Sequence, residues 1–143
     1  MSAPLVMIHG SFGCGGDWAE VLRRLGRPAS TPDLPGHGAR FGSPAASFDA
    51  VQNELAQGLP NGCDLVGYSL GGRLALAAAL QAPRVTVRSL VLESAHPVLD
   101  GAAKAIRLAE DRDRSLHLRQ DPAAFLRRFY GAPLFESFRV YLN

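Results

Sequence analysis

Ser69 stands in Gly67-Tyr68-Ser69-Leu70-Gly71, with Gly72 following, a leucine- and valine-containing run before it and an alanine-rich run after it. A serine between residues that carry no side chain can project its hydroxyl from a sharp strand-to-helix turn, the placement a nucleophile or a base requires. The N–H of Leu70 then falls at the start of the helix, where unpaired donors and the helix dipole favour developing negative charge. That N–H is expected to be one half of an oxyanion hole. The other half is expected from the loop "HGSFG", with the N–H of Ser11 as donor. Such a pentapeptide also occurs as a plain structural turn. Its context, a strand before, a helix after, the "HG" loop and a "DLPGHG" loop upstream, favours the chemical reading.

These residues need elements to hold them, and alternating apolar runs and amphipathic segments predict an α/β fold with a mainly parallel sheet and flanking helices. "PLVMIHG" (Pro4 to Gly10) reads as a buried strand, and Asp17, with Glu20 three residues on, as the cap of a helix from about Trp18 to Leu25. "RPAST" is a second strand candidate, followed by an irregular "PDLPGHG" loop. In "SFDAVQNELAQGL" a Ser47 cap precedes a stripe of Phe48, Val51, Leu55 and Leu59, an amphipathic helix. "CDLVGYS" is the third strand, residues 70–82 the third helix and "VRSLVLESA" the fourth strand. Residues 100–130 read as two helices, the second capped by Asp121 with Pro122 at its first position. The expected domains are a core over 1–97 and a helical cap segment over 98–143.

Composition bounds the partners. With 143 residues, 47% hydrophobic and 20% charged, the chain has an ordinary globular composition. A net charge of +2 is too balanced to argue for nucleic acid. All the basic residues but Lys104 are arginines, so their placement matters more than their total. Cys14 and Cys63 have no metal-ligand spacing and fit a reduced, cytoplasmic setting. No signal-peptide pattern or membrane span is read from the sequence. No metal site and no cofactor are expected, since "HGSFGCGG" lacks the lysine and spacing of a phosphate loop.

The stretches "MIHGSFGCGGDW", "PDLPGHG", "VGYSLGGRLAL", "LVLESAHPVL" and "FLRRFYGAPLFESF" resemble the 2-succinyl-6-hydroxy-2,4-cyclohexadiene-1-carboxylate synthase family of menaquinone biosynthesis, lyases on an α/β-hydrolase fold. The arginine directly after "SLGG", the Glu-x-x-His-Pro run and the late aromatic pattern are its more discriminating parts. The resemblance implies elimination of pyruvate from 2-succinyl-5-enolpyruvyl-6-hydroxy-3-cyclohexene-1-carboxylate, with Ser69 acting as base on a ring proton. It implies substrate contacts from Tyr68, Arg73, Arg107 and Phe129, the last standing where the family has a tryptophan. The partner is then a small polycarboxylate. Guanidinium forks are what such a ligand needs on losing its water. Each arginine also has a plainer reading, Arg73 as a surface ion pair and Arg107 as part of a solvated charged helix.

A serine alone is a neutral alcohol and needs a proton acceptor. His9 and His37 lie upstream in loops, His96 follows the fourth strand, and His117 lies in the charged segment; none matches the family's triad histidine. Asp100, Glu110, Asp111, Asp113, Asp121 and Glu136 fall in or beside the cap segment, so none matches the triad acid. Complete domains of this fold commonly need more than about 200 residues. The expectation is therefore a partial α/β-hydrolase fold, amino-terminal portion plus cap, truncated before its base and inactive as the isolated chain. Three functions stay open: the lyase, another hydrolase such as an esterase or carbon–carbon bond hydrolase, and a noncatalytic remnant. An open sheet edge would favour self-association or a complementing chain.

Overall fold

A computed structural model describes residues 2–44, 47–81, 87–96 and 100–136. The expected helix end at residue 82, the 97/98 boundary and the tail beyond Glu136 lie outside them. The chain divides into two compact units, Met1–Pro97 and Val98–Asn143.

The first unit is built on a parallel sheet of β1 (Leu5–Ile8), β2 (Asp64–Tyr68) and β3 (Ser89–Glu93), in the order β1-β2-β3. Leu5 to Ile8 pair with Asp64 to Gly67, and Asp64 to Tyr68 with Ser89 to Glu93. Helices α1 (Ala19–Leu25) and α2 (Phe48–Gly58) lie between β1 and β2 in the chain, and α3 (Leu70–Gln81) between β2 and β3. Period-two alternation sorts the strands between two cores. On one face Val6, Ile8 and Leu65 pack with Leu74, Ala75 and Ala78 of α3, and Val51 and Leu55 of α2 close over them. On the other face Leu5 and Met7 meet Trp18, with Leu22 and Val66 beside them. Cys14 and Cys63 are both free, and burial raises the pKa of the Cys63 thiol.

Two expectations are corrected. "RPAST" contributes no strand: Ser30 makes a single parallel bridge to Val6, its N–H donating to Leu5 O at 2.8 Å and its O accepting from Met7 N at 2.9 Å. The prolines at 28 and 32 lack the N–H groups that would extend the pairing. The sheet therefore has three strands among the described residues rather than four. Asp17 is not the cap of α1. It closes a 3-10 turn, Gly15–Trp18, by accepting the Cys14 N–H at 2.9 Å, and α1 starts after that turn. The Ser47 cap holds, its hydroxyl accepting from Ala50 N at 3.1 Å.

In the second unit α4 (Gly101–Gln120) precedes α5 (Pro122–Tyr130), which Asp121 caps by accepting the Ala124 N–H at 2.9 Å. α4 buries no residue, and its charges pair along its own surface, Arg114 with Glu110 and Asp111, and His117 with Asp113. No helix of the described residues is long and apolar enough to cross a membrane.

Candidate active site

Ser69 sits between the last residue of β2 and the first of α3 with φ +52°, a left-handed conformation that is unfavourable for a residue with a Cβ. Packing holds it there. Its N–H donates to Glu93 O of β3 at 2.9 Å, and its carbonyl accepts the Arg73 N–H at 3.2 Å. The flanking glycines are required by close approach. A Cβ on Gly67 would lie 2.5 Å from Gly71 O, one on Gly71 would lie 2.4 Å from the carbonyl oxygens of Ile8 and His9, and one on Gly72 would lie 2.6 Å from Ala95 Cβ. The start of α3 is thus wedged against the carboxyl ends of its neighbouring strands, and the strain at Ser69 is stored by that wedge.

The loop after β1 runs directly past this turn. A Cβ on Gly10 would meet Tyr68 Cδ1 at 2.8 Å and Ser69 Cβ at 3.3 Å, so only glycine lets the backbone approach the serine. Gly13 N–H donates back to Gly10 O at 3.3 Å, with Ser11 and Phe12 at the centre of the turn and Phe12 at φ +63°. A positive φ at the third residue alone is the type II pattern. Ser11 is exposed, Tyr68 is 37% exposed, and Leu70 opens α3 with an N–H that has no acceptor within the helix.

A second loop braces the first: the loop-packing role that the sequence predicts for the histidines of these loops is met by His9, whereas Asp33 is a residue that sequence reasoning missed. Asp33 accepts the N–H of Gly15 at 2.6 Å and of Ala39 at 2.8 Å, and these bonds hold its carboxyl below the ordinary range. His9, buried at the end of β1, accepts the Leu34 N–H on Nε2 at 3.0 Å and donates Nδ1–H to Gly10 O at 2.8 Å. Both nitrogens are engaged, and burial lowers its pKa, so His9 is a neutral structural residue. The only local signal was the loop composition of "PDLPGHG".

His37 Nδ1 donates to Pro35 O at 3.0 Å, and its ring lies 5.1 Å from that of His9. His96 is exposed, and His117 Nδ1 lies 3.4 Å from Asp113 on α4. Among the described residues no group of three or more His, Cys, Asp or Glu is arranged to hold a metal ion.

The remaining predicted residues fall as follows. Arg73 is exposed on α3, its guanidinium 5.5 Å from the centre of the Phe48 ring. In the second unit Arg107 Nε donates to Asp111 at 2.8 Å, an i,i+4 ion pair that engages one of its nitrogens. Phe129 sits in an aromatic cluster, its ring 5.0 Å from Phe135, 5.2 Å from Tyr130 and 6.0 Å from Phe125.

A parallel sheet with a strained serine at a strand-to-helix turn, and a glycine loop from the neighbouring strand packed on that serine, defines the α/β-hydrolase class. Residues 5–142 match the alpha/beta hydrolase family, and the chain belongs to it. It is 33% identical over 140 residues to the 2-succinyl-6-hydroxy-2,4-cyclohexadiene-1-carboxylate synthase of Serratia proteamaculans (strain 568), covering 93% of this chain and 55% of that one. It is 37% identical over 141 residues to the enzyme of the same name from Klebsiella pneumoniae (strain 342), again covering 93% and 55%. The structure of MenH from S. aureus superimposes with a TM-score of 0.74 at 27% identity, over 94% of this chain and 54% of that one. An esterase from Thermogutta terrifontis, at 24% identity and a TM-score of 0.71, shares the fold. The chain spans about half the length of the curated relatives it matches.

Proposed function

We propose that this chain carries the serine and carboxylate-binding part of a lyase that eliminates pyruvate from 2-succinyl-5-enolpyruvyl-6-hydroxy-3-cyclohexene-1-carboxylate. The observation that carries the reading is the packing of the Gly10 loop on Ser69, Ser11 being the next residue of that loop. In the proposed reaction Ser69 Oγ takes a ring proton, the carbon–oxygen bond to the enolpyruvyl group breaks, and a second ring double bond forms. The departing enolate is protonated on carbon to give pyruvate. The N–H groups of Ser11 and Leu70 stabilise the negative charge that develops on the substrate's oxygen, and Tyr68 borders the same turn. Arg73 takes a substrate carboxylate; residues 1–97 are read as an incomplete core and 98–143 as a helical cap segment, whose proposed substrate contacts are Arg107 and Phe129. The names of the relatives and the exposed Arg73 guanidinium favour the lyase over an esterase, whose neutral substrate has no need of the fork. In this reading none of the four histidines of the chain is the proton acceptor of Ser69, and the part of the relatives' length that the chain does not cover supplies it.

Pyruvate release tests this, measured for the chain alone and for the chain mixed with a polypeptide covering the remaining half of the Serratia relative. Little turnover is expected alone, with pyruvate released by the mixture and lost on Ser69→Ala. A mixture that assembles and cleaves neutral esters but releases no pyruvate would overturn the lyase assignment. Robust turnover by the chain alone would overturn the external base.

A further inference from the structure

Among the described arginines of the first unit, Arg23 and Arg24 pair with Glu20, Arg27 and Arg88 with Asp64, and Arg40 with Glu54. Arg73 differs: it forms no ion pair with any described residue, and its guanidinium lies over the Phe48 ring instead. The difference has a chemical consequence. A carboxylate partner consumes the in-plane N–H donors of a guanidinium, whereas an aromatic ring attracts the cation through its quadrupole and brings no competing negative charge to the fork. A long exposed side chain restrained by a ring surrenders part of its rotamer entropy before any ligand arrives.

Phe48 is itself held in place. It is the first residue of α2, directly after the Ser47 cap, and α2 is seated on the core through Val51 and Leu55. Arg73 stands one helical turn beyond Ser69, on α3, the helix against which α2 packs. Asp49, the next residue of α2, makes no ion pair with Arg73, so the helix presents a ring to the guanidinium and not a competing carboxylate.

We infer that Phe48 is a positioning residue for Arg73, holding the guanidinium on a ring face so that its N–H fork stays free for a carboxylate of an acidic substrate. This deepens the reading above and rests on it for the carboxylate role of Arg73. Phe48 then helps set specificity without touching the reacting atoms.

The test uses the full chain, with propane-1,2,3-tricarboxylate as probe, followed by calorimetric titration and by the Arg73 Nε–Hε resonance. Arg73→Ala is expected to weaken binding about tenfold or more, the worth of a charge-assisted hydrogen bond. Phe48→Leu is expected to weaken it about two- to fivefold, the worth of an exposed cation–π contact, while Phe48→Trp binds at least as well as the wild type. In the Arg73→Ala background Phe48→Leu should have no further effect. Wild-type binding by Arg73→Ala overturns the carboxylate role of Arg73. Weakened binding by Arg73→Ala with wild-type binding by Phe48→Leu, or equal weakening by Phe48→Leu and Phe48→Trp, overturns the positioning role and leaves Arg73 standing. The Nε–Hε resonance read without probe reports the ring contact independently, and an unchanged shift in Phe48→Leu or Phe48→Trp overturns it even where Arg73 binds carboxylates.

Discussion

The Asp33 carboxylate accepts the Gly15 N–H at 2.6 Å, tying the loop that carries Ser11 to a segment eighteen residues further along the chain. Its second oxygen accepts the Ala39 N–H, so one side chain fixes two loops at once. Asp33→Asn keeps the shape but turns an amide N–H₂ toward one of the two donors. The expected result is a lower thermal midpoint and faster amide exchange at Gly15 or Ala39, with α4 and α5 unchanged. Exchange rates equal to the wild type at both sites would show that the brace does not hold the loop.

His9 makes a prediction about protonation. Its Nε2 accepts the Leu34 N–H, so the proton must reside on Nδ1, which donates to Gly10 O. Protonation would aim a second donor at Leu34 N–H, and burial opposes it, with His37 adding repulsion while Asp33 and Asp17 pull the other way. A lowered folded pKa means the unfolded chain takes the proton first. This contribution to stability is full above about pH 6.5 and declines as pH falls toward the folded value. Nitrogen NMR should show the Nδ1–H tautomer of His9 persisting below the pH at which an exposed histidine titrates.

Asp64 governs the acid limb. At the start of β2 it is held by Arg88 Nε at 2.8 Å, Ser89 Oγ at 2.7 Å and Arg27 at 2.9 Å. These bonds, Arg88 first, push its carboxyl far below the ordinary range. The sign follows: stability from this group is present above about pH 4, where an unfolded aspartate ionises, and is lost as pH falls toward the folded value. Urea unfolding midpoints from pH 7 downward should fall more steeply below pH 4 for the wild type than for Asp64→Asn, which starts less stable. Parallel curves would remove Asp64 as the cause.

The wedge at the serine turn predicts opposite outcomes for two glycines. In Gly71→Ala the new Cβ would need the space of two carbonyl oxygens, and the cost should be about 1–3 kcal/mol or more. Gly58→Ala adds a methyl in open space in the last turn of α2 and should stabilise by about 0.5–1 kcal/mol. Chemical unfolding of the two variants side by side provides the measurement.

The elements around Ser69 were legible because their signals are local. A cap reaches its donor three residues on, as Ser47 does to Ala50 and Asp121 to Ala124, and a glycine-flanked serine between a strand and a helix leaves one compact turn. "RPAST" misled because strand length depends on which N–H groups a neighbour can receive, and prolines stand on both sides of Ser30, at 28 and 32. Asp17 misled because a 3-10 turn came between the loop and α1.

By itself the sequence determined the parallel α/β order, the serine turn and the arginine one turn beyond it, since periodicity and steric demand act over a few residues. Only the tertiary structure decided that Asp33 and Leu34 brace the Ser11 loop, that His9 is spent on that brace, and that Arg73 meets a ring rather than a carboxylate. Those partners lie 18 to 25 residues apart in the chain, where hydrogen-bond geometry and core packing choose among many residues of the same type.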